Sequence, residues 1–164
     1  MTTNPSDAAR HARLLCAAEQ AQSTFSAISA LCMNAIESLP SSSDGKTAAE
    51  TLEAAAMARQ ILSGTIALCS QHLERSLRDM PIEIEGPDAI YAWRCAQAEM
   101  LQQQAESTVS AIMGIANRGQ MQGTGVGKGF WGESEKTRAV NTPFKGLCSS
   151  ILTLCRQYKG AQRP

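Results

Sequence analysis

Aromatic side chains are scarce in this chain. Three Phe, two Trp and two Tyr make up only 4% of its 164 residues. A deep ligand pocket draws on aromatic walls, so that kind of site is poorly supplied. Histidine is scarcer still, with only His11 and His72. A metal centre needs three or four convergent ligands. Two imidazoles and scattered cysteines do not provide them, so neither a metal nor a cofactor is expected. No apolar run approaches the length of about 18 residues that a spanning helix requires, so no membrane span is expected. An excess of one charge is also missing: 15 Lys+Arg balance 15 Asp+Glu. A general nucleic-acid binder would be basic, so that class is disfavoured. The six cysteines are Cys16, Cys32, Cys69, Cys95, Cys148 and Cys155, and none forms a CxxC pair. Zinc-ribbon and thioredoxin-like patterns are therefore excluded. The first residues lack the basic-then-apolar layout of a signal peptide. The expected location is a bacterial-type cytoplasm with reduced thiols, and secretion without a signal peptide stays open.

What is abundant is alanine within a 43% hydrophobic composition. Alanine favours helix and packs thinly. In residues 4–39, Leu14, Ala18, Ala21, Phe25, Ile28, Cys32, Ala35 and Leu39 alternate spacings of four and three, a heptad seam. Asn4 can cap this helix, and Pro5 suits its first position. Pro40 and the run 41–45 end it. A second helix is expected over 47–80, with Thr47 and Glu50 as a capping box. Its seam is Leu52, Ala55, Leu62, Ile66, Cys69, Leu73 and Met80, interrupted by Arg59 and Ser76. Gly64 costs that helix about 1 kcal/mol relative to alanine, and close approach of a neighbouring helix is the expected compensation. The short connection predicts an antiparallel hairpin. Ile82-Glu83-Ile84-Glu85 reads as an extended connector. A third helix follows to about 117, with Ile90, Trp93, Leu101, Ala105, Thr108, Ile112 and Ile115 on its core face and Met100, Val109 and Met113 broadening it.

Six glycines then fall within 119–132, which reads as a flexible segment. Asn141-Thr142-Pro143 restarts a helix by its capping chemistry. Phe144, Cys148, Ile151, Cys155 and Tyr158 mark the apolar face of this short helix. The predicted fold is all-α: a long antiparallel hairpin plus a third helix over 4–117, a Gly-rich linker over 118–140, and a C-terminal helix over 141–160. Charge is unevenly placed along it. Residues 1–117 carry 7 basic and 13 acidic side chains, net −6, whereas residues 118–164 carry 8 and 2, net +6. The basic part is expected to dock on the acidic body or to meet an anionic partner.

Four constellations invite a chemical role. Gly123-Thr124-Gly125-Val126-Gly127-Lys128-Gly129 resembles a phosphate-binding loop. It has Gln122 where that loop needs its first glycine and Gly129 where it needs Ser or Thr, and no strand precedes it. Cys69 and His72, three apart on one helix face, have the spacing of a thiol and its base, but a buried thiol beside a boundary histidine has the same spacing and is favoured. Glu83 with Glu85, and Glu133 with Glu135, read as solvated pairs. Basic residues Lys128, Lys136, Arg138, Lys145, Arg156, Lys159 and Arg163, with Phe130, Trp131 and Tyr158, have the right chemistry for a docking surface. Their density is low for nucleic acid. Phe130, Trp131, Lys128, Lys136, Arg138, Arg156 and Lys159 are the candidate interaction residues. Cys148 and Cys155 lie roughly 10 Å apart along one helix, beyond the reach of about 7 Å for a disulfide. The cysteines therefore read mostly as small buried hydrophobes.

The stretch from Gly86-Pro87-Asp88-Ala89-Ile90 to Ala116, with Gln97, Gln102-Gln103-Gln104, Ala105-Glu106 and the closing Ile115-Ala116-Asn117, resembles the region of phasins that follows their first helices. The Ala/Gln/Leu-rich helices before it are similar too, so the resemblance covers about residues 10–120. It rests on composition and helix order, and the six cysteines and the Gly-rich 119–132 depart from the family pattern. Phasins are helical proteins that coat polyhydroxyalkanoate storage granules and often self-associate. The resemblance implies a granule-surface coat with no catalytic residues. The expected function is thus a non-catalytic helical coat or scaffold that self-associates or binds a protein partner. The alternative is an accessory or secreted effector protein docking through its basic C-terminal region.

Overall fold

A computed structural model describes residues 5–41, 48–76, 86–126, 128–129 and 132–162. Among them are four helices: α1 Pro5–Ser38, α2 Ala49–Ser76, α3 Pro87–Gln122 and α4 Glu135–Ala161. Between α3 and α4 lies a minimal antiparallel ladder of two two-residue strands, β1 Lys128–Gly129 and β2 Gly132–Glu133. The expected cap Asn4, Thr47 of the capping box, the end of the second helix at Met80 and the connector 82–85 lie outside the described residues.

The seam of α1 is buried as its spacing predicts at Leu14, Ala21, Phe25, Ile28 and Cys32, with Ala35 and Leu39 half-buried. On α2, Ala54, Ala55, Ala58, Leu62 and Cys69 form the core line. Small alanine side chains let α2 lie close to its neighbours. Arg59, which interrupts the seam in sequence, has a local role: its guanidinium donates to the carbonyls of Leu39 (3.0 Å) and Pro40 (2.6 Å). It thereby satisfies acceptors that the end of α1 leaves without intrahelical partners. With Phe25 tilted against His72 further along, at 4.5 Å between ring centroids, the contacts run in opposite order on the two helices.

On α3 the core line is Ala98, Leu101, Ala105, Val109, Ile112, Ala116 and Gly119. Val109 replaces Thr108, and Ile90, Trp93 and Ile115 are only half-buried. The face is rotated slightly from its expected position, and Met100 is exposed. The helix also runs past 117 to Gln122, because Gly119 is where α4 presses against it. A Cβ on Gly119 would sit 2.5 Å from Cys148 Sγ and 3.1 Å from Phe144 Cε1. Close approach is thus needed at Gly119 and not at Gly64, where a Cβ would meet nothing within 4 Å. Gly123 then ends α3 in the left-handed region (φ 63°), its N–H donating to the Gly119 carbonyl at 2.8 Å.

The fourth helix departs most from expectation. It begins at Glu135, capped by Ser134, whose Oγ accepts from the Lys136 N–H at 3.3 Å. Pro143 lies inside it and not at its start. A mid-helix proline costs about 3 kcal/mol, so the turns before it need tertiary support. That support is Thr137, Val140 and Asn141, all buried. Asn141 does not cap a helix; its Oδ1 accepts from Thr124 N (2.9 Å) and Thr124 Oγ1 (2.7 Å), pinning the turn after α3 onto α4. Residues 118–122 and 135–140, expected as linker, are therefore helical, and α4 is 27 residues long, not short. Its Phe144, Cys148, Ile151, Leu152, Cys155 and Tyr158 join one core cluster with α1, α2 and α3. The bundle ends are tied by Gln162 to Gln20 (3.1 Å), Thr51 to the Lys136 carbonyl (2.7 Å) and the Arg10–Glu99 ion pair.

Candidate functional site

Phe130 and Trp131 of the expected interaction set lie outside the described residues. Lys128 stands in β1. Lys136, Arg138, Arg156 and Lys159 are all exposed on α4. They do not form one patch: Lys136 and Lys159 are at opposite ends of the helix, roughly 35 Å apart at the standard rise. Arg138 and Arg156 are separated by five full turns, on one flank. Lys159 Nζ donates to Ser110 Oγ at 3.2 Å. An ion pair joins Arg10 to Glu99, between α1 and α3. Helix α4 of the basic C-terminal part thus packs on the body through its apolar face.

Cys69 is fully buried, and burial pushes its thiol up, with the Ser29 hydroxyl acting in the opposite direction. A nucleophilic cysteine needs the reverse shift. His72 is buried against Phe25. Cys32, Cys148 and Cys155 are buried in the same core, and desolvation raises them to about 12, about 11 and about 11. These four behave as the small hydrophobes the sequence suggested. Cys16 is exposed and Cys95 half-buried, so that expectation does not extend to them. Among the described residues, no group of three or more His, Cys, Asp or Glu side chains is placed to hold a metal ion. No described helix is long and apolar enough to cross a membrane.

Among its described residues, the glycine-rich turn is not arranged as a phosphate cradle. Thr124 is buried and committed to Asn141, and a helix precedes the turn. Two of the recesses lined by described residues are large. One, of about 530 Å³, lies among α1, α3 and the end of α4, with Arg10, Arg13, Cys16, Gln20, Gln102 and Gln162 around it. The other, of about 420 Å³, is a groove between α2 and α3 closed by the Gly123–Gly125 turn. The sequence pointed to neither. The signal it held for the second was Gly64, a helix-interior glycine with no local use.

The outer faces carry the remaining feature. Between Glu53 and Glu74, the exposed residues of α2 are Ala56, Met57, Gln60, Ser63, Gly64, Ala67 and Gln71. Between Glu106 and Arg118, those of α3 are Ser107, Ser110, Ala111, Gly114 and Asn117. Between Glu19 and Glu37, those of α1 are Gln22, Ser23, Ser26, Ala30, Met33 and Asn34. None is charged. Large apolar side chains also stand out into solvent at Leu15, Met33, Met57, Met100 and Met121. The chain matches no family model, no curated protein and no solved structure.

Proposed function

We propose that this chain is a non-catalytic helical coat or scaffold, working through the outer faces of its helices, as phasins do. The observation that carries this is the uncharged central surface of α1, α2 and α3, with Met33 and Met57 exposed on it and Met100 and Met121 exposed beyond it on α3. A solvent-facing helix surface is normally rich in charge, which keeps a protein apart from its neighbours. Methionine is flexible and polarizable and suits contact with irregular apolar surfaces. Such a surface adsorbs to a hydrophobic particle or to another copy of the chain without a deep pocket.

Sedimentation with and without polystyrene or polyester nanoparticles tests this. The wild-type chain is expected to self-associate or to co-sediment. Ser26→Lys, Ser63→Lys and Ser110→Lys together place charge on three exposed positions and should abolish both. A strictly monomeric chain that ignores such particles would sink the coat function. A second function has one observation in its favour: Arg138 and Arg156 share an exposed flank of α4 and have no ion pair among the described residues. A monomer that binds one acidic protein, and loses it on Arg138→Glu, would make the chain an accessory or effector protein docking through its basic C-terminal region.

A further inference from the structure

Glycine in the interior of a helix weakens it, and α2 keeps Gly64 without any packing reason inside the chain. A Cβ there would meet nothing within 4 Å. What Gly64 does is leave bare backbone along the groove between α2 and α3. Of the walls around it, Met57, Ile61 and Ile115 are apolar and Gln60 and Gln122 are polar, and Met57 can adjust its shape to what it meets. One end is closed by the Gly123–Gly125 turn, which the Thr124–Asn141 hydrogen bonds hold in place. The volume of about 420 Å³ lies within the range of small-molecule sites. Arg118 is the one charged side chain lining the groove; no acid lines it. Arg118 also has no ion pair among the described residues.

We infer that this groove binds a small amphiphilic anion, a single carboxylate on an unbranched apolar chain. The guanidinium of Arg118 takes the carboxylate, for which its planar fork is suited. One cation matches one negative charge, which favours a monocarboxylate over a phosphate dianion. The chain lies along Met57, Ile61, Gly64 and Ile115, where the walls are aliphatic and no aromatic ring offers a stacking face. This ligand site shares Met57 and Gly64 with the outer face of α2, but it stands whether or not the outer faces adsorb to particles.

Calorimetric titration of the full chain with decanoate tests the site, with decanol as the neutral chain of equal length. The expected result is one decanoate per chain, bound about tenfold or more tighter than decanol. Gly64→Leu fills the groove from an open position and favours helix, so its melting temperature should hold or rise while decanoate binding falls about tenfold or more. Arg118→Gln should erase the preference for decanoate over decanol. Absence of saturable decanoate binding, unchanged affinity in Gly64→Leu, or equal binding of decanol by the wild type would each overturn the proposal. So would a dimer that Gly64→Leu dissociates, because the groove would then belong to a second copy of the chain.

Discussion

Two glycines in neighbouring helices should respond to alanine with opposite sign. Gly64 and Gly119 both lie inside helices, so in both cases alanine contributes about 1 kcal/mol of helix propensity. At Gly64 nothing opposes that gain, since a Cβ has open space around it. Gly64→Ala should therefore stabilise the chain by about 1 kcal/mol, which for a domain of this size raises the melting temperature by roughly 2–4 °C. At Gly119 the added Cβ would lie 2.5 Å from Cys148 Sγ and 3.1 Å from Phe144 Cε1. Both neighbours are buried in the core and have little room to retreat. Overpacking of this kind costs about 1–3 kcal/mol, which cancels or exceeds the propensity gain. Gly119→Ala should thus melt several degrees below Gly64→Ala. Adding Cys148→Ala to Gly119→Ala removes the nearest atom, and the pair should couple by about 0.5–3 kcal/mol in a double-mutant cycle. Thermal and urea denaturation read all four variants. If both alanines raised stability equally, α4 would not be seated on α3 at Gly119, and the docking of the fourth helix described above would be wrong.

Other perturbations follow from the same packing. Pro143→Ala restores an N–H to the interior of α4 at an exposed position and should stabilise by about 1–3 kcal/mol; no gain in urea midpoint would put Pro143 at a helix start. Asn141→Ala leaves the Thr124 N–H and the Thr124 hydroxyl hydrogen buried without an acceptor, at a cost of about 1–3 kcal/mol by chemical denaturation. Phe25→Ala empties a fully buried site against His72 and should cost about 3–5 kcal/mol, whereas a loss below about 0.5 kcal/mol would place Phe25 on the surface. Alkaline pH should unfold the chain through its thiols. Cys32, Cys148 and Cys155 are raised by burial to about 12, 11 and 11, above the value of 9.0 that they regain on unfolding. Above pH 9 the unfolded chain therefore loses its thiol protons first, so this stability is complete below pH 9 and is lost as pH rises through the folded values. Cys32→Ala should flatten the fall of the urea midpoint above pH 9; an unchanged slope would mean that Cys32 is not buried.

Much of the fold was legible because burial on a helix is periodic. Leu14, Ala21, Phe25, Ile28 and Cys32 recur at spacings of three and four, and that spacing is enough to say which side faces inward. The same logic located α2 and α3. It misplaced the α3 face slightly, at Thr108 instead of Val109, because small residues surround both positions. The start of α4 was hidden for a different reason. Asn141-Thr142-Pro143 has all the local chemistry of a helix start, and the turns before it bury Thr137 and Asn141, polar residues that carry no apolar signal. The candidate groove left only Gly64 as a trace in the sequence, since its walls come from residues more than 50 positions apart on two helices.

Composition and heptad spacing determined by themselves that this chain is helical, where three of its helices lie and which residues form most of its core. Those are local properties: a helix repeats every 3.6 residues whatever it packs against, so its buried side shows in the order of the residues. The tertiary structure alone decided that α4 extends back to Glu135, that Asn141 serves Thr124, and that Gly119 rather than Gly64 is the point of close approach. A glycine or an asparagine has the same local propensity in every helix. Its effect there is set by the atoms of a distant segment brought within a few ångströms, and no spacing along the chain records them.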